Sequence, residues 1–295
     1  MFDDTDAGTV ENLREVYALL RDCGLRTTKS VWPLAGSELP EVVGGATCAD
    51  AAYLAWIKLL QQDGFEIGFH NATYHSSTRA QTIRGLDAFR EMFGHDPRTM
   101  ATHTTCREGM YWGADRVSGW HRLVYNLLTG WRQQRLFRGH VEGDPHFWGD
   151  VCRPRIKYVR NFVFSEINTL KVCPFMPYHD PRRPYVNAWF ASSEGGRVEP
   201  FNQTISEANQ DRLEAEGGAC IMYTHFAKGF YAHGRLDPRF KELIQRLAGK
   251  NGWFVPVATL LDYLGQQIGG HVLAGSERSQ LERRWLAHKV RVGTT

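Results

Sequence analysis

At 295 residues, with 42% apolar and 23% charged side chains, the chain has the composition of an ordinary globular protein and can fill one large α/β core or two small ones. A formal charge of +3, with Lys and Arg scattered along the chain, gives no reason to invoke nucleic acid. No stretch approaches the roughly 18 consecutive apolar residues of a membrane span. The six cysteines, Cys23, Cys48, Cys106, Cys152, Cys173 and Cys220, form no Cys-x-x-Cys pair, the pattern of free thiols in a reducing compartment.

The start, Met1-Phe2-Asp3-Asp4-Thr5-Asp6, crowds three carboxylates into six residues, more than a plain strand end needs. Asp6 has a second reading, as the cap of the helix that follows. Val10, Leu13, Val16, Tyr17 and Leu20 recur at helical spacing until Gly24 stops them. Thr27 to Leu34 reads as a strand and residues 33–45 as a loop, and Ala51 to Gln62 is again helical. Phe65, Ile67 and Phe69 then alternate as in a buried strand, which delivers His70 and His75 at its end. Two imidazoles are half of a zinc-like site, and a carboxylate must come from elsewhere. Ser76, Ser77 and Thr78 are candidate caps for a helix with Ile83, Leu86, Phe89 and Phe93 on one face. A strand from Thr99 to Thr102 ends at His103.

Residues 108–150 are less regular, with a helix predicted from Trp120 to Phe137. Tyr158 to Trp189 holds strand-like segments around a proline-rich, aromatic stretch. That stretch reads first as loop packing and second as a cleft wall where Tyr178, His179 or Trp189 meets a sugar face. Ser206 to Glu216 is helical, and Ala219 to Thr224 is a buried strand ending at His225. Leu236 to Leu247 is a helix, Trp253 to Val255 a last strand, and the tail from His271 a solvated helix. Alternating strands and helices imply a parallel sheet or barrel with ligands at the carboxyl ends of its strands.

With the acidic start, His70 and His225 in place, the sequence resembles the polysaccharide deacetylase, or NodB-homology, family. Phe2-Asp3-Asp4 is similar to its Phe-Asp-Asp motif, His70 to His75 to its two-histidine motif, and Met222-Tyr223-Thr224-His225 to its late strand-plus-histidine motif. The resemblance implies a distorted (β/α) barrel over residues 1–268, with a short first strand, an insertion around 108–200 and a C-terminal tail over 269–295. It implies hydrolysis of an N-acetyl group on a sugar or glycan precursor, dependent on a divalent metal, most often Zn2+, with Co2+ or Ni2+ as alternatives. Asp3 is then the general base, Asp4, His70 and His75 the metal ligands, and His225 the general acid.

The sequence departs from the family in three places. His70 and His75 are five apart instead of four. Asp6 stands where it can replace or supplement a carboxylate. The Arg-Pro-Pro motif, whose arginine orients the base, is missing, and its strand ends in Ala101-Thr102-His103. His103 therefore falls in the site, either orienting Asp3 or substituting for His75, and Arg98 and Arg107 are candidates for the lost positive charge. Two other readings stand beside the sugar deacetylase: a hydrolase of a non-sugar amide or formyl group, and a weakened barrel kept for glycan binding. The chain as written carries no leader and reads as cytoplasmic. Only Met1 and Phe2 precede Asp3, however, so an upstream segment would reopen that reading. The sequence does not set the oligomeric state.

Overall fold

Strands and helices alternate through residues 1–292, which the computed structural model describes. The strands are β1 (Phe2–Asp3), β2 (Thr28–Val31), β3 (Glu66–Phe69), β4 (Thr99–Met100), β5 (Tyr158–Phe164), β6 (Tyr178–His179), β7 (Ala188–Ser193), β8 (Tyr223–Thr224), β9 (Tyr231–Ala232), β10 (Arg235–Leu236) and β11 (His271–Val272). The helices are α1 (Val10–Asp22), α2 (Ala51–Gln62), α3 (Arg79–Phe93), α4 (Gly119–Leu128), α5 (Gly149–Arg155), α6 (Thr169–Val172), α7 (Val198–Thr204), α8 (Glu207–Ala215), α9 (Pro238–Ala248), α10 (Val257–Ile268) and α11 (Gly275–Val292).

β1 lies between β2 and β8, with Asp3 opposite Lys29 on one side and Thr224 on the other. From β2 the sheet runs parallel through β3, β4, β5 and β7. The far edge of β7 then meets the approach to β8: Ser193 bridges Met222 in parallel, and its N–H donates to the Ile221 carbonyl at 2.7 Å. This contact joins the two ends of the sheet, so seven parallel strands form a distorted ring with all their carboxyl ends on one rim. It is the α/β barrel with a short first strand expected above. β6, antiparallel to β7, and β11, parallel to β6, extend the sheet outside the ring, and β9 and β10 form a separate hairpin.

Because side chains alternate along a strand, each ring strand divides its residues between the barrel interior and the helical layer. Phe65, Ile67 and Phe69 turn outward, Phe65 edge-on to Tyr17 of α1 at 5.3 Å and Phe69 to Phe89 of α3 at 6.3 Å. Gly68 turns inward, where a Cβ would come within 2.9 Å of the Thr99 hydroxyl. Side chains cap the first three helices: Thr9 and Thr78 form capping boxes with Asn12 and Gln81, Thr78 being one of the expected caps, and Asp50 caps α2. Thr9 therefore does the capping that was open to Asp6.

Three expectations are corrected. The helix predicted from Trp120 to Phe137 stops at Leu128, since Gly130 and Trp131 take positive φ of 57° and 63°. Trp253 to Val255 forms no strand; Trp253 is exposed, and the Phe254 carbonyl accepts one backbone bond, from Arg26. The tail is not solvated: Trp285 of α11 is fully buried, stacked on Tyr125 at 5.4 Å and tilted on Phe162 at 5.4 Å, while Glu282 reaches His121 at 3.1 Å. Its charged composition hides an apolar stripe of Leu281, Trp285 and Leu286. The last three residues of the 269–295 tail lie outside the described residues. Within 108–200, β5 and β7 are strands of the ring, the connection from β4 to β5 is long, and β6 lies outside the ring between β7 and β11. All six cysteines are free, and no helix among the described residues is long and apolar enough to cross a membrane.

Candidate active site and metal centre

The three aspartates of the first six residues go to three environments, and strand periodicity sorts the first two. Phe2 faces the barrel interior, its ring 6.2 Å from that of Phe190, so Asp3 faces outward. There one carboxylate oxygen accepts from the Phe226 N–H at 2.8 Å. The other accepts from the Tyr17 hydroxyl at 2.8 Å and pairs with Lys29 Nζ at 3.0 Å, with both charged groups fully buried. Asp3, expected as the general base, thus sits behind the site and fastens β1 to β2 and α1. Removing one partner of such a pair leaves an uncompensated buried charge, so Asp3→Ala is expected to cost about 3–5 kcal/mol of stability in chemical denaturation. An unchanged midpoint would show that the pair stabilises nothing.

Asp4, the next residue, turns inward, and Arg160 of β5 grips it with two parallel bonds of 2.8 and 2.5 Å. Burial by itself would raise the Asp4 pKa, but the Arg160 guanidinium outweighs it and holds the carboxyl below its usual range, helped by His70 and His225. A carboxylate offers about four lone-pair sites, so two remain after the arginine is satisfied. The Tyr223 ring lies 4.4 Å from the same guanidinium and 5.1 Å from the His225 ring.

Asp6, beyond the strand end, is the hub. Its Oδ1 lies 3.2 Å from His70 Nε2 and 3.0 Å from His103 Nδ1; its Oδ2 lies 3.1 Å from His225 Nε2 and 3.4 Å from Lys228 Nζ. Asn71, in the left-handed region at φ 66°, ties the two histidine loops together: its side-chain oxygen accepts from the His103 N–H at 2.9 Å, and its amide donates to Glu108 at 2.7 Å. α3 packs close behind this loop, and a Cβ at Gly85 would fall 2.6 Å from the Ala72 methyl.

The tautomers test whether Asp6, His70 and His103 fit a metal ion. His70 Nδ1 sits 2.9 Å from the Ala101 carbonyl, which can only accept, so the ring proton is on Nδ1 and Nε2 points a lone pair at a carboxylate oxygen. Burial lowers the pKa of His70, against the raising effect of Asp4 and Asp6, which favours the neutral ring. Two facing acceptors are held together by a cation between them, a proton or a metal ion. Donors on a tetrahedral ion with bonds of about 2.0–2.1 Å lie roughly 3.3 Å apart, close to the spacings here, and one carboxylate with two imidazoles is a zinc-type donor set. The three ligand atoms lie within 4.8 Å of one another, and all three residues are buried.

His225 differs in position. Its Nδ1–H donates to the Gly196 carbonyl at 2.9 Å, so Nε2 is the nitrogen turned toward Asp6.

Other residues singled out from sequence stand apart from this group. His75 Nε2 accepts from the Ser37 N–H at 2.9 Å, and its Nδ1 donates to the Ser76 carbonyl. Asp4, expected as a ligand, has both oxygens on Arg160. Arg107 is exposed, and Arg98 pairs with Asp262 at the opposite end of the barrel. Trp189 alternates with the inward Phe190 and so faces outward, 6.1 Å from Tyr111. Its strand partner Tyr178 is buried on β6, outside the ring, and His179 donates to the Asn187 carbonyl. None of these three reaches Asp6. The residue missed altogether is Arg160, although an arginine alone within Tyr158-Val159-Arg160-Asn161-Phe162-Val163-Phe164 carries its own signal, since a fully buried strand does not take a charge without a partner.

No family model matches the sequence, and no curated protein matches it. Among solved structures it is similar to a probable polysaccharide deacetylase from Pseudomonas aeruginosa PAO1, at 12% identity and a TM-score of 0.39. It is also similar to Puue allantoinase, at 13% identity and a TM-score of 0.40. In both cases the match covers 96% of this chain and 74% of the other.

Proposed function

We propose that this protein is a metal-dependent amide hydrolase that removes an N-acetyl group from a sugar or glycan precursor. The observation that carries the reading is the division of labour around one rim: an arginine-clamped carboxylate, Asp4, beside a buried Asp6, His70 and His103 group, with His225 on the other oxygen of Asp6. Amides resist hydrolysis because the carbonyl is a poor electrophile and the amine a poor leaving group. A divalent ion held by Asp6, His70 and His103, zinc by its donor set, supplies Lewis acidity for the first problem. Asp4, kept ionised by Arg160, accepts the proton of the attacking water. His225, with Nδ1 committed to Gly196, donates from Nε2 to the departing nitrogen.

In this assignment the base moves from Asp3 to Asp4, and the ligand set from Asp4, His70 and His75 to Asp6, His70 and His103. The sugar rests on the resemblance of the motifs. The aromatic side chains expected to carry it, Tyr178, His179 and Trp189, lie away from the rim, which keeps a non-sugar amide as the second reading. Turnover of small amides with none of N-acetyl sugars would decide for the latter.

The test is elemental analysis with an acetate-release assay on wild type, His103→Ala and His75→Ala. About one equivalent of metal is expected in wild type and in His75→Ala, and almost none in His103→Ala. Wild type that takes up no zinc, cobalt or nickel would overturn the proposal in favour of a binding protein.

A further inference from the structure

Helix α4 is amphipathic, but its polar and aromatic side is the one packed against the protein. His121 and Tyr125 are buried against α11, through Glu282 and Trp285. Trp120, Leu123 and Leu127, spaced as one helical stripe, point into solvent at 61, 52 and 63% exposure, and Leu128 and Trp131 continue the stripe. These twelve residues hold five of the fourteen large apolar side chains that are exposed among the described residues. A folded chain does not gain stability by displaying such a stripe, so the face has an occupant.

Charge identifies it. Between Gly119 and Arg138 the sequence has four arginines, Arg122, Arg132, Arg135 and Arg138, and no acidic residue. Arg122 and Arg138 pair with Asp115 and Asp144, while Arg132 and Arg135 are exposed with no carboxylate partner among the described residues. Leucines flanked by tryptophans and rimmed by free arginines suit the interface of a bilayer, where indoles sit at headgroup level and guanidinium groups meet phosphate. We infer that α4 and the turn after it, residues 119–135, dock this protein on an anionic membrane surface, with Leu123 and Leu127 in the acyl region and Arg132 and Arg135 on the headgroups. The inference is independent of the hydrolase assignment.

The experiment is co-sedimentation of the full chain with vesicles of phosphatidylcholine, with and without phosphatidylglycerol, alongside size-exclusion chromatography. Wild type should bind the anionic vesicles, less so at high salt. Leu123→Ser with Leu127→Ser should lower the bound fraction at least about tenfold with no change in melting temperature, the side chains being exposed. Arg132→Glu with Arg135→Glu should abolish the preference for anionic lipid and provides a second test should the leucine variant fold poorly. Wild type that ignores anionic vesicles, or binding untouched in both variants, overturns the inference. A dimer dispersed by the leucine substitutions, without vesicle binding, overturns it too and assigns the face to a second copy of this chain.

Discussion

Asp6→Asn is expected to leave a folded protein that no longer holds a divalent ion and turns over at least about 10³-fold more slowly, since the ion's polarising effect amounts to several kcal/mol. The substitution keeps size and shape but removes the charge on which His70, His103 and His225 converge. Burial would raise the Asp6 pKa, and the imidazoles gathered around it, His103, His225 and His70, outweigh burial and hold the carboxyl far below its usual range. An amide in its place presents a donor to His70 Nε2, satisfying that nitrogen without a cation. Metal content and acetate release, measured on the same preparation, check the prediction. Normal metal content in Asp6→Asn would move the ligand set back toward Asp4 and His75.

Asp4→Asn is the converse experiment: the metal should stay and kcat should fall by about 10²–10⁴, the usual contribution of a positioned base. Arg160→Met sharpens it. Without the guanidinium, burial dominates and the Asp4 pKa rises, so the acidic limb of the pH-rate profile should move to higher pH while metal content holds. A profile that keeps its acidic limb in Arg160→Met would mean that another group is the base.

Much of the barrel was legible because its signals are local. Helical spacing marked α1 and α2, the Ser76-Ser77-Thr78 run marked where α3 begins, and the alternation of Phe65, Ile67 and Phe69 marked the strand that delivers His70. The assignment of carboxylates was not legible in the same way. Asp3, Asp4 and Asp6 are chemically identical in the sequence, and which of them faces the interior depends on the phase of a two-residue strand, fixed by distant partners, Lys29, Tyr17 and Arg160. His103 and Asp6 were visible as alternatives, because the missing arginine motif left a histidine at a strand end. Arg160 was hidden by its distance of 156 residues from Asp4. The docking of α11 was masked by its Arg and Glu content, which outweighs three apolar residues in any composition window.

A strand as short as β1 has little ladder to fix its alignment, yet sliding it by a single position would move one aspartate into the other's place and leave an uncharged neighbour in the place it vacated. A slip in one direction puts Phe2 opposite Lys29 and leaves an ammonium sealed in the helical layer without a counterion, and a slip in the other puts Thr5 opposite Arg160, which loses its clamp. Two buried ion pairs on opposite sides of one dipeptide therefore act as a lock with two keys. Each pair enforces the phase that the other requires, so misthreading in either direction orphans one buried charge, and the side that carries the chemistry is proofread by the side that does not.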